Sequence, residues 1–346
     1  MEGATQSNEE QRQPFEDDDW TDGAVRVDAR KNTRVMPKKK KADSGPPKPK
    51  VPPETLAAVA ILSDANATAD EKAMAAHRLG AFASAADVQR NDLGSVGAVE
   101  ALTQALMLLA EPLPRNLRQI AAGGTPSGSF SAGGSCSSAG GSAAETLLAA
   151  RLNFAEQAAY ALRQLSANNP LSVAYDNVGK IVAAGGAAIL VEWLRPPSKH
   201  RMPASDTLKE HVVACLCNMA KKNAYREAIA ACQGGIEALV TLVGNRDGRS
   251  TASMRRDAAF CLGGLSFCHE PIKALIVEAG TVPVLNAIIA PPVSSGPPGH
   301  EGLSDQHQAA QLQQVAGYAL KNILEPPRLP PAPSPAVAAD VAPKKK

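Results

Sequence analysis

Apolar positions along this chain fall into two alternating phrases. The first is a glycine followed by an amphipathic run: VGAVEALTQAL from Val96, AGGAAILVEWL from Ala184, QGGIEALVTLV from Gln233 and AGTVPVLNAII from Ala279. Each copy has glycine in second place (Gly97, Gly185, Gly234, Gly280) and leucine five residues later (Leu102, Leu190, Leu239, Leu285). The second phrase has the form A-x-x-L-x-x-L, with substitutions, and is centred on Leu79, Leu162, Leu216, Leu262 and Leu320. In both, apolar residues recur at three- and four-residue steps, which is the period of one helical face. A short stretch ahead of the glycine (Arg226 to Cys232, Ile272 to Glu278) adds a third element. Each unit therefore predicts three helices, with a break at the glycine, where the absence of a Cβ permits an abrupt turn.

The two phrases keep a fixed register. From central leucine to next glycine is 18 residues for Leu79 to Gly97, Leu216 to Gly234 and Leu262 to Gly280, and 23 for Leu162 to Gly185. The last three glycine phrases are 49 and 46 residues apart. Units of that length cannot bury an apolar face alone and stack on their neighbours as a solenoid. Thr68 with Glu71 and Thr207 with Glu210 fit capping boxes that would start third helices.

These phrases resemble the armadillo repeat found in β-catenin, importin-α and vacuolar armadillo proteins. The match is best over Ala279 to Ile289 and Val315 to Leu324, and it spans about residues 54–325. The resemblance implies an all-α, right-handed α-solenoid of about four to five repeats: four full ones and an N-terminal part-repeat. A two-helix HEAT unit would not need a glycine break at this place.

Composition marks what lies outside the array. Residues 1–53 carry few large apolar side chains, an acidic cluster (Glu16, Asp17, Asp18, Asp19) and then a basic one (Lys38, Lys39, Lys40, Lys41). Such a segment cannot offset its ordering entropy by burial and is expected to be disordered. The Pro-, Ala- and Lys-rich residues 326–346 are expected to be a second disordered tail. A low-complexity insertion at 121–144 and a loop at 291–303 fall at equivalent junctions, where a solenoid tolerates added chain. The formal net charge of +2 divides unevenly: residues 54–325 hold 21 basic and 23 acidic residues, a net of −2. A near-neutral array gives no electrostatic case for nucleic acid. The sequence has no run of about 18 apolar residues, the length a membrane span needs, and its N-terminus is unlike a signal peptide.

Chemistry is sparse. Of the six cysteines, Cys215, Cys217, Cys232 and Cys261 fall within helix phrases as small apolar fillers, and free thiols are expected. Cys215 and Cys217, with His211 one turn earlier, suggest a metal site, but residues two apart on a helix point about 200° apart. Cys268-His269 is no stronger. None of the six histidines stands in a nucleophile–base arrangement, and the Gly-rich insertion lacks a phosphate-loop pattern. No catalytic activity, cofactor or metal is expected.

The armadillo resemblance places function on the third helices, which line the concave groove of that family. In importin-α an aromatic and an asparagine four residues later hold peptide. The corresponding positions here are His77, Tyr160, Ala214, Phe260 and Tyr318, then Ala81, Gln164, Asn218, Gly264 and Asn322. Only Tyr318 with Asn322 preserves the pair. The candidate groove residues are Tyr160, Gln164, Asn218, Phe260, Tyr318 and Asn322. The implied function is a non-enzymatic scaffold or adaptor for proteins or extended peptide segments, expected to be a monomer. The alternatives are an importin-α-like receptor for lysine peptides, or the non-catalytic part of a ubiquitin-ligase-type assembly. PKKKKAD (Pro37 to Asp43) resembles a nuclear import signal, which points to the cytoplasm, the nucleus or both.

Overall fold

The structure is a computed structural model that describes residues 51–85, 87–112, 143–167, 176–196, 202–245, 248, 250–290 and 303–326. The chain divides into Met1–Pro47 and Lys48–Lys346, and only the second unit contains described residues. The expected tails (all but 51–53 of the first and all but Pro326 of the second), Lys38 to Lys41, and nearly all of the 121–144 and 291–303 segments lie outside them.

Fourteen helices and no strand occur among the described residues. A part-repeat comes first, with α1 (Pro53–Ser63) and α2 (Ala69–Ala85). Four three-helix repeats follow. The first is α3 (Asp87–Ser95), α4 (Ala98–Ala110) and α5 (Ala143–Ser166); the second is α6 (Asn177–Ala183), α7 (Gly186–Leu194) and α8 (Asp206–Ala220). The third is α9 (Asn223–Ala230), α10 (Gly235–Gly244) and α11 (Ala252–Ser266); the fourth is α12 (Glu270–Glu278), α13 (Thr281–Ile289) and α14 (Leu303–Leu324). Second helices pack in series α1–α4–α7–α10–α13, and third helices pack in series α2–α5–α8–α11–α14. This is an all-α armadillo-like repeat solenoid.

The glycines make the break. Gly97, Gly185, Gly234 and Gly280 have φ of 82, 79, 73 and 78°, a left-handed region costly for residues with a Cβ. First and second helices consequently turn through 71, 78, 92 and 76° in the four repeats. Beyond each break Leu102, Leu190, Leu239 and Leu285 are fully buried, as are Leu79, Leu162, Leu216 and Leu262 of the third helices. Leu320, on the last described helix α14, is only half-buried. Trp193, in the second helix α7, is buried as core.

Capping follows the leucine register. Thr68 and Glu71 form the expected box: Thr68 N donates to Glu71 Oε2 at 2.7 Å and Glu71 N to Thr68 Oγ1 at 3.2 Å. The Thr207–Glu210 box does not form. Ser205 is the N-cap of α8, its Oγ accepting from Leu208 N at 3.1 Å. Thr251 caps α11 in the same way at 3.2 Å. Thr68, Ser205 and Thr251 each stand 11 residues before the central leucine, which places Thr207 inside the first turn. Glu210 instead accepts from Thr251 Oγ1 at 2.6 Å, joining α8 to the start of α11. Glu156 has the same offset on α5 and accepts from Ser205 Oγ.

The first helices close the other end of the third helices, whose last carbonyls lack intrahelical donors. Arg90, Arg226 and Lys273 each stand three residues before a buried apolar residue (Leu93, Ile229, Ile276). Arg90 Nη1 donates to Ala83 O at 3.2 Å, and Lys273 Nζ to Glu325 O at 2.6 Å. Arg226, almost fully buried, donates Nε to Ala220 O at 2.9 Å and Nη1 to Phe267 O at 2.7 Å, tying the ends of α8 and α11 together. In the second repeat Val178 holds that position, and Asn177 beside it donates Nδ2 to Leu165 O at 3.2 Å.

Candidate functional site

The third helices approach closely because small residues stand where they touch. A Cβ at Gly80 would come within 2.6 Å of the Tyr160 ring, and one at Gly263 within 2.9 Å of the Ala319 backbone. This proximity brings side chains two residues before each central leucine into ring contact. His77 stacks on Tyr160 with centroids 6.2 Å apart, and Tyr160 meets His211 at 5.4 Å and 55°. Phe260 stacks on Tyr318 at 5.8 Å. Ala214 occupies the same position on α8, so the rings form two groups rather than one ladder.

The six residues singled out from the sequence share this stack but differ in exposure. Tyr160, Gln164, Asn218 and Tyr318 are half-exposed, whereas Phe260 and Asn322 are buried. Both asparagines are used between helices: Asn218 Nδ2 donates to Ser166 Oγ of α5 at 3.2 Å, and Asn322 Nδ2 to Gly263 O of α11 at 3.3 Å. The preserved pair is thus divided: Asn322 packs inward against α11, while Tyr318 stacks on Phe260 and stays half-exposed.

The face also holds groups that sequence reading did not single out. Arg163 Nη1 donates to His211 Nδ1 at 3.4 Å. Burial first, and the adjacent Arg163 guanidinium second, push the His211 imidazolium down to about 4, so the ring is neutral at pH 7 and can accept that proton. His77 Nδ1 lies 2.9 Å from Gln157 Oε1. Lys221 Nζ stands 5.9 Å from the Phe260 centroid, within cation–π range. The signal for Arg163 was its place one residue after a central leucine, on the face of the rings. For His211 it was the place five residues before one.

The thiols of this stack are held protonated. Burial pushes Cys215 up to about 12 and Cys261 well above the usual thiol range, which suppresses nucleophilic thiolate. Cys215 and Cys217 are buried on α8, and among the described residues no three His, Cys, Asp or Glu side chains cluster to hold a metal ion. No single described helix is long and apolar enough to cross a membrane.

No family model matches the chain, and no curated protein does. Solved structures similar to it include an engineered protein at 20% identity, covering 78% of this chain and 96% of that one with a TM-score of 0.43. A designed armadillo repeat protein is 18% identical over 78% of this chain and 99% of its own, with a TM-score of 0.41. A designed armadillo repeat protein in complex with the peptide (KR)4 is 17% identical over 77% and 99%, with a TM-score of 0.40. These superpositions are loose, and the armadillo-like assignment stands on the repeat geometry described above.

Proposed function

We propose that this protein is a non-enzymatic adaptor that holds extended segments of partner proteins across the concave face of its third helices. The observation that carries the reading is the series α2–α5–α8–α11–α14, which presents His77, Tyr160, Arg163, His211, Lys221 and Tyr318 from one stack of helices. Rings supply area at low entropic cost, and the exposed polar groups between them supply orientation. Gln164 and Asn218 are the groove amides available to a bound backbone; Phe260 and Asn322 support them from beneath.

A receptor for lysine peptides is the weaker reading, since Arg163 and Lys221 place positive charge on the face that such a peptide would occupy. Fluorescence anisotropy with an arrayed set of extended peptides tests both. Binding that weakens in Tyr160→Ala and Gln164→Ala supports the groove, whereas binding indifferent to both variants refutes it. Tight, salt-sensitive binding of (KR)4 would favour the lysine-peptide reading. Lys38 to Lys41 are proposed to direct nuclear import. A reporter fusion whose nuclear fraction is unchanged when all four become Ala would refute that proposal.

A further inference from the structure

We propose that Cys217 of α8 and Cys261 of α11 form an oxidation site, where a low-molecular-weight disulfide converts the two thiols into a bridge between neighbouring repeats. The pair stands out by its place in the register. On each third helix, the residue after the central leucine meets the residue before the central leucine of the next. A Cβ at Gly80 would lie 3.2 Å from Ala161 Cα, and one at Gly263 would lie 3.1 Å from Ala319 Cβ. Between α5 and α8 the same pair is Arg163 and Cys215; between α8 and α11 it is Cys217 and Cys261. One turn further along these last two helices, a Cβ at Gly264 would stand 3.5 Å from that of Ala220. The backbones therefore come as close as a disulfide requires, with Cβ atoms about 3.5–4.5 Å apart.

The electrostatics agree with that pairing. Burial first, then Cys217 and Asp257, push the Cys261 thiol up. Burial also raises Cys215, but Ser166 and then Arg163, both of α5, act on it in the opposite direction. Residues two apart on a helix point about 200° apart, so the C-x-C spacing sends Cys215 toward α5 and Cys217 toward α11. Cys217 keeps 9% exposure and Cys261 none, which makes Cys217 the thiol that a reagent meets. As a thiolate it attacks one sulfur of the small disulfide, forming a mixed disulfide and releasing one small thiolate. Cys261 then gives up its proton and attacks the Cys217 sulfur, releasing the second. Two protein thiols become one bridge, and the reagent is reduced to two thiols. Ala214 interrupts the ring contacts at this same step, so the bridge fixes the His77–Tyr160–His211 group relative to Phe260–Tyr318.

Prolonged exposure of the folded, full chain to excess oxidised glutathione tests the proposal. Cys136→Ser and Cys268→Ser are made first, which removes the exposed Cys268 and the thiol of the low-complexity insertion. Mass spectrometry should then show a loss of two hydrogens and one crosslinked peptide pair, Cys217 with Cys261. The melting temperature should rise, because the bridge constrains the unfolded chain, and dithiothreitol should return it to its starting value. Cys217→Ala and Cys261→Ala, each in that background, should melt at the same temperature before and after the treatment. The crosslink map decides the matter even if either variant folds poorly. Four thiols that all remain open to alkylation overturn the proposal, as does a lasting mixed disulfide or a bridge through Cys215 or Cys232. An oxidised form that melts below the reduced one also overturns it, since the bridge would then require a distorted array.

Discussion

Asn218 on α8 donates its Nδ2 to Ser166 Oγ on α5 at 3.2 Å, and Ser166 in turn donates to Arg163 O at 2.8 Å. The amide that the armadillo resemblance assigns to a bound peptide therefore also ties two repeats together. Asn218 is half-exposed, and this bond commits one of its two amide donors to the neighbour.

This dual use predicts coupled effects. Asn218→Ala should destabilise the chain by about 1 kcal/mol, the net worth of such a bond. Ser166→Ala should cost a similar amount, and the double variant less than the sum. Urea unfolding of the four proteins gives the coupling directly; strict additivity would mean that the bond contributes nothing. Peptide affinity should fall in Asn218→Ala but not in Ser166→Ala.

Position in the array sets the cost of losing a central leucine. Leu262→Ala should cost about 2–5 kcal/mol through lost transfer energy and a residual cavity. Leu320→Ala should cost well under half as much, because its side chain is already partly in water. Equal losses in chemical denaturation would show that α14 is covered in solution.

Arg226 is the least replaceable of the first-helix cations. Arg226→Met keeps much of the apolar stem but leaves Ala220 O and Phe267 O without their donor. The expected loss is about 2–3 kcal/mol, in the range for bonds to charged groups. Arg90→Met, whose bond to Ala83 O is longer at 3.2 Å and whose side chain is less buried, should cost less. Thermal unfolding that ranks these two variants the other way would refute the bridging role of Arg226.

The repeat architecture was legible because two residue types report on backbone and packing at once. A glycine at each break and a leucine at each buried centre leave a fixed spacing whatever surrounds them. The Thr68–Glu71 cap was readable for the same local reason. Thr207–Glu210 misled because its spacing fits a capping box equally well; the distance to Leu216, which selects Ser205, carries the missing information. The bridges from Arg90, Arg226 and Lys273 were not legible. Each joins residues of different helices, and a cation on a short helix looks like a solvated one until its carbonyl partner is placed. For the groove, offset alone named the positions but could not say that Asn322 and Phe260 turn inward.

The last prediction concerns acid. In the folded chain His211 is neutral down to about pH 4, whereas in the unfolded chain it protonates near its ordinary value of about 6.5. The folded state disfavours the proton, so this contribution to stability is complete above about pH 6.5 and is lost as pH falls toward 4. The groups facing the ring from α5 are the Arg163 guanidinium at 3.4 Å and the Tyr160 ring at 5.4 Å, and neither stabilises an imidazolium as a carboxylate would. His211→Gln keeps an acceptor for Arg163 and removes the titration. Between pH 6.5 and 4 its urea midpoint should therefore fall less steeply than that of the parent. Carboxylates elsewhere titrate in both proteins and cancel in the comparison. Arg163→Ala should also flatten the slope, by removing the smaller of the two forces on the ring. Parallel curves for parent and His211→Gln would mean that the ring is solvated, and that the stack of α5 on α8 is looser than its geometry indicates.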